Sequence, residues 1–240
     1  MNTNNFDVII LIGRPAAGKS EVIDFLKKTP LEERAKRFHV GNFEEVDDFV
    51  YVWETFEVDD ILSKHGKPRL WSDEKYWFTD DFIWNVYIER LNLVYRKKLA
   101  ANANYHDTTT TLVEFSRGGE NGFAEAFSYL HEDVLKHACI LYIKVSFEES
   151  FRKNKRRARP GLEDSILYHS LPDEKMEFYY KTNDWDKLTA ADPNFIAIKG
   201  FKVPYIAFEN EPEKTDDPLK LGAELERVTA KLWNTWKGKK

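Results

Sequence analysis

The chain of 240 residues has one cysteine, Cys139, so no internal disulfide and no cysteine cage for a metal can form. Basic residues are not in surplus either. Lys and Arg number 36 against 41 Asp and Glu, a net charge of −5, which argues against a protein held to nucleic acid by its phosphate backbone. No apolar run approaches the 18 or so residues needed to cross a bilayer, and the opening MNTNNFDVII lacks a basic segment followed by a long apolar stretch. A cytoplasmic protein with no membrane and no nucleic-acid partner is the expectation. The six histidines show neither H-x-H nor H-x-x-x-H spacing, so they give no support to a histidine-built metal site. What the chain does have is 42% hydrophobic and 32% charged residues, the balance of a globular protein with a real core.

Asp7 to Ile12 (DVIILI) is a continuous, largely β-branched apolar run, as in a strand buried on both faces of a parallel sheet. It ends at Gly13, and a helix is expected over Gly18 to Lys28. Further strands are expected near Lys36 to Val40, over Thr108 to Phe115, over Cys139 to Val145, and finally over Val203 to Phe208. Helices are expected around 53–65 and 80–101, and from Gly122 to His137. Ser146 and Glu149 make a capping-box pattern for a helix running to about Arg157. Asp217 and Pro218 open a closing helix with Leu221, Leu225, Val228, Leu232 and Trp236 along one face. Strands alternating with helices imply parallel pairing, hence an α/β chain folded as a single three-layer α/β/α sandwich of P-loop NTPase type. An aromatic-rich helical insertion over 43–104 and a lid-like segment over 152–192 would lie at the carboxyl ends of the strands, where such sheets bind ligands.

The residues between the first strand and first helix carry the chemistry. GRPAAGKS, formed by Gly13, Arg14, Pro15, Ala16, Ala17, Gly18, Lys19 and Ser20, matches G-x-x-x-x-G-K-[ST]. By chance the pattern arises in roughly 1 chain in 100 of this length, and here it stands between a buried strand and an amphipathic helix, the context that gives it meaning. Its glycines let backbone N–H groups face phosphate oxygens. Lys19 would reach the β- and γ-phosphates, and Ser20 would place a hydroxyl on Mg²⁺. ATP and Mg²⁺ are therefore the expected cofactors. No N-K-x-D motif for reading guanine follows a strand.

Phosphoryl transfer to a small acceptor needs positive charge at the transferring group and an acid near the accepting hydroxyl. Glu114 and Arg117, in VEFSRGG, fall at the end of the third strand, although the two could instead pair with each other. Asp47 or Asp48 could serve as the base, with Asp47 preferred, or form an acidic cap. Arg152, Lys155, Arg156 and Arg159 share one helix face. Glu148 and Glu149 lie within reach of the first turn, leaving Arg156, Arg157 and Arg159 as candidates for phosphate contact.

Together these features resemble the nucleoside and nucleotide kinases of the P-loop superfamily. Val113-Glu114-Phe115-Ser116-Arg117 takes the place of the D-G-F-P-R that ends strand three in adenylate-kinase-like members. The resemblance implies phosphate contact by Arg117, a lid lined by Arg156 or Arg157, and adenine packing near Phe208 and Asn210. The expected function is an ATP-dependent kinase acting on a small molecule, a nucleoside or nucleotide first among them. The competing expectation is a P-loop ATPase or nucleotide-regulated binding protein with no small-molecule acceptor.

Overall fold

A computed structural model describes residues 4–157 and 170–239, so the expectations resting on Arg159, His169 and the middle of the lid segment lie outside the described residues. The chain opens with β1 (Val8–Gly13), α1 (Lys19–Lys28), α2 (Leu31–Phe38), β2 (Asn42–Asp47), α3 (Phe49–Lys64), α4 (Ile83–Ala101) and β3 (Thr109–Phe115). It continues through α5 (Gly122–Tyr129), α6 (Glu132–His137), β4 (Ala138–Lys144), α7 (Phe147–Arg157), α8 (Asp173–Tyr180) and α9 (Trp185–Thr189). It closes with β5 (Phe195–Ile198), β6 (Phe201–Glu209) and α10 (Pro218–Lys239).

Six strands form one sheet in the order β2-β3-β1-β4-β6-β5. All neighbouring pairs are parallel except β5 with β6. All six residues of β1 are buried, as its unbroken apolar run requires. Alternation along the strand divides them between two cores. Val8, Ile10 and Ile12 pack with Tyr87, Ile88 and Leu91 of α4 and with Phe123 and Phe127 of α5. Ile9 and Leu11 pack on the opposite side with Val22 and Leu26 of α1 and with Leu221, Leu225 and Val228 of α10. The result is the expected three-layer sandwich.

Three expectations are corrected. Residues 36–40 are not a strand, because Lys36 to Phe38 finish α2 and the second strand lies at Asn42–Asp47. That strand is the sheet edge and, apart from Val46, is exposed or half-buried, so NFEEVD carries no apolar run to announce it. Phe43 to Asp47 thus belong to the sheet, and the helical segment begins at Phe49. The expected single helix over 122–137 is two, broken where Leu130 turns extended and the His131 ring accepts from Asp133 N–H to cap the second. Val203–Phe208 was expected as the final strand, and it has an added partner: β5 joins it through Lys199 and Gly200, both at positive φ, as in a tight hairpin. The capping pattern at α7 is half realised. Ser146 Oγ accepts from Glu149 N–H at 3.1 Å, but Ser146 N–H donates to Glu211 instead of Glu149.

Candidate phosphate and acceptor site

The loop Arg14–Gly18 turns sharply between β1 and α1, with Ala16 at φ 55° and Gly18 at φ 117°. Glycine is required at both ends. A Cβ on Gly13 would lie 2.7 Å from Ile143 O, and one on Gly18 would lie 2.7 Å from Asn210 Nδ2. The first N–H groups of α1 have no partner within the helix. Lys19, 7% exposed, folds back over the loop. Its ammonium donates to Ser116 Oγ at 2.7 Å and to Arg14 O at 3.3 Å, and lies 3.7 Å from a Glu114 oxygen. Ser20 is exposed on the first turn of α1.

The loop is pinned from outside. Arg14 donates to the carbonyls of Val145 and Tyr180, both at 3.1 Å, and of Lys181 at 3.4 Å. Ser150 on α7 donates to Pro15 O at 2.7 Å. Asn210 is fully buried, and its amide donates to Ala17 O at 2.7 Å and Thr215 Oγ1 at 3.0 Å, while its oxygen accepts from Lys214 and Thr215 N–H. Asn210 and Arg14 thus hold the loop's shape. The Asn210 amide is spent within the protein, on the loop and the turn after β6.

Asp47 and Glu114 are direct neighbours across the β2–β3 ladder, and both stand at strand carboxyl ends. Burial pushes the Asp47 carboxyl up to about 8, helped by the charges of Glu114 and Asp48, while the Phe49 N–H and Lys19 pull the other way. Glu114 is also raised, first by burial, with Lys19 opposing. Asp48 is raised by burial too, yet it is held against Arg117, with Oδ2 2.6 Å from Nη1.

Arg117 is 6% exposed. Beyond Asp48 it donates to Ser116 O at 2.7 Å and Trp84 O at 2.9 Å, and its guanidinium stands 5.0 Å from the Trp84 ring centre. The considered Glu114–Arg117 pair is replaced by Lys19–Glu114 and Asp48–Arg117. In extended chain, residues three apart face opposite sides, which separates those two side chains. The glycines after Arg117 are explained by contact: a Cβ on Gly118 would fall 2.1 Å from Tyr179 O, and Gly119 has φ 83°.

The arginines of α7 have partners far away in sequence. Arg152 pairs with Glu149, and both it and Arg156 lie beside Glu213, in the loop after β6. Both are more than half exposed. Arg157 is bound to Glu21, one residue beyond Ser20, at 3.0 Å, and its charge is felt at Glu114. Arg156 and Arg157 have no acidic partner within their own helix but find distant ones, and Arg157 rather than Arg156 stands on the loop's side of the helix.

Sequence reasoning missed Ser116, the hydrogen-bond partner of Lys19. It also missed Asp184, whose carboxylate accepts from the Phe123 and Ala124 N–H groups and so fills the N-terminus of α5. A serine beside the strand-three arginine and an aspartate ahead of a tryptophan carry no distinctive spacing. A cavity of about 460 Å³ opens beside Ser116 and Arg117, walled by Trp84 and Asn85 of α4, Glu125 of α5 and Tyr179 of α8.

The first strand is central, the phosphate loop follows it, and β3 lies beside it with an arginine turn at its end. This is the three-layer α/β/α sandwich of P-loop NTPase type.

No protein-family model matches the chain, and no curated protein does. Among solved structures it is similar to one described as the crystal structure of APE1195, at 13% identity over 94% of this chain and 98% of that one, with a TM-score of 0.42. It is also similar to shikimate kinase from Acinetobacter baumannii in complex with shikimate, at 14% identity over 78% of each chain, with a TM-score of 0.38. The fold assignment rests on the chain's own strand order and loop. Among the described residues, no helix is long and apolar enough to cross a membrane.

Proposed function

We propose that the chain is an ATP-dependent kinase that phosphorylates a hydroxyl group of a small molecule. The observation that carries this reading is the juxtaposition of three groups at the strand ends. The P-loop lysine lies 3.7 Å from Glu114, and Glu114 is the ladder neighbour of Asp47, a carboxyl raised to about 8. A general base works best with a pKa near the operating pH, and an ordinary surface aspartate lies far below it.

In the proposed reaction, Asp47 takes the proton of the acceptor hydroxyl as its oxygen bonds to the γ-phosphorus. The bond from that phosphorus to the bridging oxygen breaks, and its electron pair leaves with the nucleoside diphosphate. Lys19 and the N–H groups at the start of α1 hold phosphate charge, and Arg157 needs only to leave Glu21 to join them. Glu114 sets the position of Lys19. Asp48 does the same for Arg117.

For Mg²⁺, the Ser20 hydroxyl would be the protein's ligand. Among the described residues no three His, Cys, Asp or Glu side chains converge on a metal position. That donor set fits an ion usually held by one or two protein groups plus phosphate oxygens and water. When bound, the ion supplies charge neutralisation on the β- and γ-phosphate oxygens.

The test is a screen of nucleosides, nucleotides, sugars and amino alcohols for acceptor-dependent ADP release, run alongside Lys19→Ala and Asp47→Asn. ADP release that needs an acceptor and fails in both variants supports the kinase. Slow hydrolysis that no acceptor changes points to an ATPase instead.

A further inference from the structure

The cavity beside Ser116 and Arg117 has a particular chemical character. Its walls are aromatic: the Trp84 and Tyr179 rings meet edge to face at 5.6 Å, and Phe178 stands against Tyr179 at 4.9 Å. Phe82 and Phe178 are 52% and 67% exposed, unusual for large apolar rings unless something covers them.

Its charges are negative. Asp81, Glu120 and Glu125 line it, and none forms an ion pair among the described residues. Glu125 accepts from Asn85 at 2.7 Å, which fixes one carboxylate on the wall. Asp81 lies close enough to Tyr179 for its charge to help raise that phenol to about 12, after burial.

The positive groups are fewer. Arg117 gives its charge to Asp48 at 2.6 Å, and Lys187, which reaches the rim, donates to Asn121. What Arg117 keeps is one buried N–H, at Nε, with no hydrogen-bond partner. A ligand oxygen would satisfy it. An anionic ligand would meet three carboxylates that have no ion-pair partner among the described residues, against one lysine at the rim, whereas a cationic nitrogen would meet both carboxylates and ring faces, each of which attracts it.

We infer that this cavity binds hydroxyl compounds bearing a positively charged nitrogen, amino alcohols or aminated polyols, as the phosphoryl acceptor. The inference rests on the kinase reading for the acceptor role, but the charge preference stands on the cavity alone. Ser116 joins the two: it lines the cavity, and its hydroxyl accepts from Lys19. An acceptor hydroxyl at that end would face the phosphate loop, with its nitrogen toward Glu125 and Asp81.

The experiment is calorimetric titration of the full chain, with Mg²⁺ and a non-hydrolysable ATP analogue present. Choline is compared with its neutral carbon isostere 3,3-dimethylbutan-1-ol, and glucosamine with glucose and glucuronate. The cation of each set should bind about tenfold or more tighter than its neutral counterpart, and glucuronate should not bind. Glu125→Gln retains the oxygen that accepts from Asn85 and removes the charge. It and Asp81→Asn should each weaken choline and glucosamine by about tenfold while leaving affinity for the ATP analogue unchanged.

Equal affinity for cation and neutral counterpart, tighter binding of glucuronate, or no binding of either cation at millimolar levels would overturn the inference. The two readings fail separately. Cation binding without acceptor-dependent ADP release would sink the kinase and uphold the charge preference. ADP release driven by glucuronate but not by glucosamine would uphold the kinase and sink the preference.

Discussion

Asp47→Asn tests the base and the electrostatics of the site together. The folded carboxyl stands near 8, against an ordinary value of 3.8. Between those values the folded chain holds a proton that the unfolded chain has released. Stability must therefore fall as pH rises through the window, by at most about 1.4 kcal/mol per pH unit. Asp47 keeps some contact with water, so the share that asparagine removes is about 2–3 kcal/mol at slightly alkaline pH rather than the full product of slope and window. Glu114 and Asp48 are shifted in the same direction and persist in the variant, so a residual slope remains. Urea unfolding should give similar stabilities at about pH 5 and a more stable variant at about pH 8.5, while turnover drops about 10²–10⁴-fold. In the wild type, kcat/KM should rise about tenfold between pH 7 and 9 as the base ionises. A variant whose stability tracks the wild type at every pH, or which turns over normally, would refute the assignment.

Other outcomes follow from the same contacts. Lys19→Ala should fold, lose phosphoryl transfer, and lose the extra thermal stabilisation that ATP gives over ADP, read by melting with each nucleotide. Asp48→Asn strips the counterion from a buried guanidinium and should cost about 3–5 kcal/mol in urea unfolding. Asn at 48 with unchanged stability would mean that Arg117 finds another partner. Gly18→Ala should keep the circular dichroism of the sheet but abolish nucleotide-induced stabilisation, because φ 117° and the Asn210 amide 2.7 Å from the new Cβ leave the loop no room.

Those contacts also show why some of the molecule was readable in its sequence and some was not. The central strands announced themselves because both faces are buried, so Val8 to Ile12 and Cys139 to Ile143 are apolar throughout. The edge strand β2 did not, since Asn42, Glu44 and Glu45 face water. The phosphate loop was legible because backbone geometry and phosphate chemistry fix its residue types at fixed spacing. Asp47 was singled out as following the second strand, and it proves to be that strand's last residue because the strand lies several residues later than expected. Partners were the hardest to read. Arg157 finds Glu21 across 136 residues and Arg156 finds Glu213 across 57, distances at which helix-spacing rules say nothing. The role of Asn210 as a brace under the loop emerges only when β6 is packed beside β4.

Phosphoryl transfer from ATP to a hydroxyl acceptor is the central claim, and following the γ-phosphate tests it directly. With γ-labelled ATP and an acceptor identified by ADP release, the label should appear on the acceptor, and neither Lys19→Ala nor Asp47→Asn should transfer it. Label recovered solely as inorganic phosphate, at a rate no acceptor changes, would contradict it.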